Sequence, residues 1–80
     1  MKKYVMTSNT YFAYKKICIY YGVALVVEEK EQLEVLEEYN NLTNNELQVK
    51  HFVKLCDELN LQQLDFHNVI EDFVTSVGEY

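Results

Sequence analysis

The 80-residue chain has no arginine and no proline, only two glycines and two cysteines, and no apolar run of membrane-spanning length. Each shortage excludes something. All seven basic residues are lysines, the net charge is −6, and residues 55–80 hold six acids and no base. Phosphate and base-edge recognition draws on bidentate arginine and basic surface, so direct nucleic-acid binding is not expected. Without proline or a low-complexity stretch, nothing marks a linker or a second domain. Gly22 and Gly78 stand alone, so no glycine-rich loop exists to cradle a phosphate. The longest apolar run falls short of the roughly 18–20 residues of a membrane span. The opening MKKYVMTSNT has neither an uninterrupted apolar core nor a small-residue cleavage site, so the cytoplasm is the expected compartment. Two cysteines without a secretion signal fit reduced core residues better than a disulfide.

What is present centres on Ile17–Val27 (ICIYYGVALVV), an uncharged run rich in β-branched and aromatic side chains. That composition predicts a central strand buried on both faces. Ile17, Ile19, Tyr21, Val23, Leu25 and Val27 make a bulky face expected to meet helices; Cys18, Tyr20, Gly22, Ala24 and Val26 make a thin one. Gly22 should mark a bulge, or a point where an aromatic ring lies over the backbone. Lys2–Met6, a turn at Thr7–Thr10 and an extended Tyr11–Val27 read as an antiparallel hairpin. Glu28–Glu31 is a charged turn. Leu33–Glu38 then alternates as a third strand, with Leu36 out of step and a short helix as the alternative, before Tyr39-Asn40-Asn41 leaves it.

Thr43-Asn44-Asn45-Glu46 matches a capping box, with Thr43 as N-cap and Leu42 and Leu47 placed for a hydrophobic staple. A helix should follow from Asn44 to Leu59 on a stripe of Val49, Phe52, Val53, Cys56 and Leu59, widened by Leu55. After a break at Asn60–Gln63, Phe66, Val69, Ile70, Phe73, Val74 and Val77 predict a second helix over 64–77, with Gly78 at its C-cap. The expected fold is α+β in one domain: a three-stranded antiparallel sheet over 1–39, packed by helices 43–59 and 64–77.

The chemistry-bearing residues do not assemble into a reaction centre. His51 and Cys56 are five apart and lack the paired spacing of a closed zinc site. His67 and Glu71, at i and i+4, suit a surface pair. Apolar surroundings make a thiol inert, and Ser8 and Ser76 have no activating motif. Adjacent carboxylates such as Glu37-Glu38 or Glu71-Asp72 seldom converge on one bond. No catalytic residue, cofactor, metal or small-molecule substrate is therefore expected. Seven tyrosines are many for this length, and Tyr4, Tyr11, Tyr14, Tyr20 and Tyr21 crowd the N-terminal third with Phe12. They either cover a sheet face that lacks a helical lid or form a docking surface.

Tyr21-Gly22-Val23-Ala24, Leu55-Cys56-Asp57-Glu58-Leu59 and Val69-Ile70-Glu71-Asp72-Phe73 together resemble a family of small uncharacterised proteins of Gram-positive, Clostridium-type bacteria. That family often leads into its last helix with a proline, where this chain has Gln63. The resemblance implies a cytoplasmic domain and supplies no activity. The expected function is a non-enzymatic interaction or regulatory domain that binds a protein partner or forms a homodimer. Tyr14, Tyr20, Glu71 and Asp72 are its expected contacts. The alternative is an acidic mimic of nucleic acid, which requires Asp57, Glu58, Asp65, Glu71 and Asp72 to line one face.

Overall fold

A computed structural model describes residues 1–78, apart from the side chains at positions 63, 64 and 76–78. Three strands, β1 (Lys2–Ala13), β2 (Lys16–Glu29) and β3 (Gln32–Thr43), form an antiparallel sheet in the order β1-β2-β3. Two helices follow, α1 (Glu46–Leu59) and α2 (Gln63–Gly78). The α+β architecture is the one the sequence predicts, with Ile17–Val27 inside the central strand.

Turn positions differ from expectation. Thr7–Thr10 is not a turn but the middle of β1, which pairs without interruption from Lys2 opposite Val27 to Ala13 opposite Lys16. The reversal falls at Tyr14-Lys15, both at positive φ (51° and 62°). Lys30-Glu31 closes β2 to β3 in the same way, at 47° and 67°. Two-residue loops with both central residues at positive φ match the right-handed strand twist and normally use Asn or Gly. Neither loop contains those residues, so local chemistry pointed to the Thr-Ser-Asn-Thr cluster instead. The β propensity of threonine and the long β2 partner prevail.

β3 also continues past Tyr39-Asn40-Asn41 to Thr43, through two irregularities. Leu36, out of step in the sequence, is the extra residue between the Leu25–Glu37 and Val26–Val35 pairs, and it packs against the core. Opposite Gly22 the register shifts again, and Asn41 takes φ 58°. A Cβ on Gly22 would collide with the Tyr39 carbonyl oxygen and lie 2.8 Å from both Asn40 Cα and Thr7 Oγ1. The glycine does mark a bulge. What lies over it is the β3 backbone and Thr7, not an aromatic ring.

The N-cap of α1 is Asn45, not Thr43: its side chain accepts from the Gln48 amide at 3.1 Å. Thr43 Oγ1 accepts from the Asn45 amide instead. Glu46 does not reach back to close a capping box, because its carboxylate holds Lys50 (2.6 Å) and the Tyr21 hydroxyl (3.3 Å). Leu47 is 68% exposed, so no staple forms with Leu42, which packs on the core. Asn60 ends the helix in the left-handed conformation, its amide satisfying carbonyls of the last turn.

The core joins Tyr4, Val23 and Leu25 of the sheet to Phe52 and Cys56 of α1 and Phe66 and Ile70 of α2. Val53, Val69 and Phe73 pack around it, whereas Leu55, Leu59 and Val74 face solvent. Val77, assigned to the same stripe, lies outside the described side chains. Burying seven such side chains at about 1.5–3 kcal/mol each is the main stabilising term. Only part of the bulky β2 face is roofed. Val23 and Leu25 are sealed, but Ile17 and Ile19 are exposed.

Candidate interaction surface

The helices cover the half of the sheet that runs from Tyr21 to Val27. β3 reaches Tyr21 with Thr43 and then turns through Asn44 into α1, so β2 from Lys16 to Tyr20 pairs with β1 alone. The result is a two-stranded overhang, residues 8–20, projecting past the body of the fold. Its helix-side face carries Phe12 (76% exposed), Ile17 (70%) and Ile19. Its other face carries Cys18 and an edge-to-face pair, Tyr11 and Tyr20, with ring centroids 5.9 Å apart. Asn41 donates to the Tyr11 hydroxyl at 2.7 Å, and Asn9 donates to Asn41 at 3.2 Å, which ties the overhang to the β3 bulge. Two-stranded ribbons of this kind are marginally stable in water when nothing covers them.

The edges of the sheet are treated unequally. Met1 and Glu28 exchange both backbone hydrogen bonds, so Glu28 and every second residue back along β2 (Val26 to Lys16) point their amides and carbonyls at β1. The residues between, including Ile17 and Ile19, point theirs the other way. From Tyr21 onward those groups meet β3; at Ile17 and Ile19 they meet no strand among the described residues. On the opposite edge, Asp57 of α1 accepts the Tyr4 amide at 2.9 Å, and the Tyr4 hydroxyl donates to the Leu61 carbonyl at 2.8 Å. The notch where β3 leaves β2, about 350 Å³ in volume, is lined by Ile17–Tyr21 and Asn44.

Charge divides along the same line. The chain up to Val27 holds four lysines and no acid, while the remainder holds three lysines and thirteen acids. Lys15 and Lys16 therefore make the overhang tip cationic on an acidic protein.

Of the four expected contact residues, two lie on the overhang. Tyr14 stands in the turn, 98% exposed, not on a sheet face, and Tyr20 lies against Tyr11. Glu71 and Asp72 belong to α2, away from the overhang. Glu71 pairs with His67 Nε2 at 3.1 Å, as the i, i+4 spacing suggests.

That pair is one end of a polar chain not visible as a unit in the sequence. His67 Nδ1 lies 2.9 Å from the Tyr39 hydroxyl, which donates to Glu37 Oε1 at 3.1 Å. Burial first, and then the Glu37 hydrogen bond, raise the Tyr39 pKa. The other Glu37 oxygen is buried with no hydrogen-bond partner. The chain latches α2 onto β3 beside the Tyr39–Phe66 ring contact. The signal in the sequence was Glu37 falling on a strand position that faces the helices.

Elsewhere, burial pushes the Cys56 thiol up to about 11 and the Tyr4 hydroxyl up to about 12. A thiol held protonated in this way is a poor nucleophile. His51 is exposed and Cys56 buried, so the two do not converge. The described residues contain no group of three or more His, Cys, Asp or Glu that could hold a metal ion. No helix among them is long and apolar enough to cross a membrane. The chain matches no family model, no curated protein and no solved structure.

Proposed function

We propose that the protein is a non-enzymatic, cytoplasmic interaction domain that binds another polypeptide through the β1–β2 overhang. One observation carries this reading: an open strand edge at Ile17 and Ile19, flanked by exposed apolar side chains. An added strand would satisfy the edge through main-chain hydrogen bonds, with Phe12, Ile17 and Ile19 supplying apolar contact on one side and Tyr20 on the other. Three of the five acids of the alternative reading have separate engagements. Asp57 is engaged at the β1 edge, Glu58 lies near Lys54, and Glu71 is held by His67 beside β3. That distribution favours the overhang over mimicry of a phosphate backbone.

The test is capture by cross-linking in the native host, comparing wild type with a Phe12→Lys/Ile17→Lys variant. Both positions are exposed, so the variant should keep the wild-type circular dichroism and Tm. Polypeptides captured by wild type should be absent from the variant's set. Identical sets, or no captured polypeptide, would defeat the proposal.

A further inference from the structure

We infer that the occupant of the open β2 edge is the same edge of a second copy, joined antiparallel about a two-fold axis through Cys18. This rests on the overhang being the docking surface and names its partner. Three observations lead to it.

The first is hydrogen-bond arithmetic. Ile17 and Ile19 each offer one amide and one carbonyl outward, and Tyr21 beyond them is already occupied by Thr43. With the axis at Cys18, Ile17 of one copy faces Ile19 of the other. The two Ile17–Ile19 pairs then make four bonds that use every outward group of both copies. An axis at Ile19 would drive Ile17 against Tyr21, where β3 stands; an axis at Ile17 would leave Ile19 facing the turn. The self-paired arrangement is isologous, as a two-fold interface must be.

The second is side-chain placement. The same register brings Ile19 and the two most exposed apolar residues of the strands, Phe12 and Ile17, of both copies onto one continuous helix-side face. On the other face Lys16 falls opposite the partner's Tyr20, its stem against the ring.

The third is charge. Each Tyr14-Lys15 tip points at the partner's Asn44–Glu46 corner, where Glu46, shared with Lys50, is the acid it meets on a protein of net charge −6. Pairing through the outer edge of β1 about Thr10 would instead set each cationic tip opposite the partner's Met6, on a strand that holds no acid.

The register makes Cys18 face the partner's Cys18 as a pair whose backbones are not hydrogen-bonded to each other. Such pairs sit with Cα atoms roughly 4.5 Å apart, inside the range a disulfide spans. The test has two arms. Sedimentation equilibrium under reducing conditions should show a monomer–dimer equilibrium with a dissociation constant on the order of 10–100 µM, as befits a small interface. Ile17→Lys/Ile19→Lys should remain folded and weaken it at least about tenfold. Added diamide, which takes two electrons and two protons from a thiol pair, should convert the dimer into a disulfide-linked species. Peptide mapping should assign it to Cys18–Cys18, and Cys18→Ser should abolish it.

A dimer that does not link at Cys18 would overturn the two-fold register and leave the overhang as a docking surface. A strict monomer up to about 1 mM would overturn the second copy as occupant; overhang-dependent capture of a different polypeptide would then stand alone. Loss of both would remove the docking surface as well.

Discussion

The roofed half of the sheet and its overhang are made of the same two strands and similar side chains, yet they end in opposite states. Leu25 and Ile19 lie on one face of β2, six residues apart. Leu25 is sealed between Phe52, Phe66 and Tyr4, while Ile19 faces water. Composition does not separate them; the point at which β3 turns away does. Wherever a third strand continues, the helices that follow it have a platform. Where it stops, apolar residues and backbone groups remain open. The same contrast holds at smaller scale, since Asp57 caps the Tyr4 amide on the β1 edge, while among the described residues no strand pairs with the outward groups of Ile17 and Ile19.

The widest separation between the two regions should come from truncation. Phe66→Ala, at a fully buried ring touching Tyr4 and Tyr39, should destabilise by about 3–5 kcal/mol, enough to unfold much of so small a domain. Ile17→Ala should change monomer stability by less than about 0.5 kcal/mol. Urea unfolding at low protein concentration measures both, and equal losses would erase the distinction. Next in size is the boundary. Gly22→Ala puts a methyl into the β3 backbone and Thr7, and should lower stability by about 2–3 kcal/mol. For a domain of this length that is a Tm drop on the order of 10–20 °C.

Alkaline titration should weaken the roofed half. The Tyr4 and Cys56 pKa values are raised above their ordinary 10 and 9, to about 12 and about 11. Desolvation leads for both, followed for Tyr4 by the neighbouring Cys56, Asp57, Glu37 and Asp65. The folded state therefore holds these protons more tightly than the unfolded chain. Their stabilisation is whole below about pH 9 and is lost as pH rises through 11 and 12, by about 2 kcal/mol or more. Tyr4→Phe should be less stable at pH 7 by about 1 kcal/mol, for the lost Leu61 bond, and should unfold less steeply in alkali. The smallest effect is in the loops. Replacing Tyr14-Lys15 or Lys30-Glu31 with Asn-Gly should stabilise by about 1 kcal/mol each, by removing side chains from positive-φ positions that disfavour them. A loss at either loop, read from Tm, would mean that its side chains make contacts worth more than the backbone relief.

Much of the architecture was legible because its signals are periodic. Phe52 and Cys56, or Phe66 and Ile70, recur at helical spacing whatever surrounds them, and Ile17–Val27 has the composition of a buried strand. The turns were less legible because Tyr14-Lys15 and Lys30-Glu31 carry no turn chemistry of their own; long strands force them. The N-cap moved from Thr43 to Asn45 because β3 runs to Thr43 and Glu46 is drawn to Lys50 and Tyr21. Composition alone singled out Tyr14 and Tyr20, and the structure puts both on the overhang. Ile17, Ile19 and Phe12 were not singled out, because a bulky strand face gives no hint of where its roof stops.

Sequence alone determined the α+β class, the central strand, the two amphipathic stripes and the need for a small residue at position 22, since each follows from local periodicity or steric size. Tertiary structure decided which part of the central strand is covered, which backbone edge is left open and how Glu37, Tyr39, His67 and Glu71 come together. Those depend on where β3 ends relative to β2, a distance in space that is set by strand register and bulges rather than by any one residue.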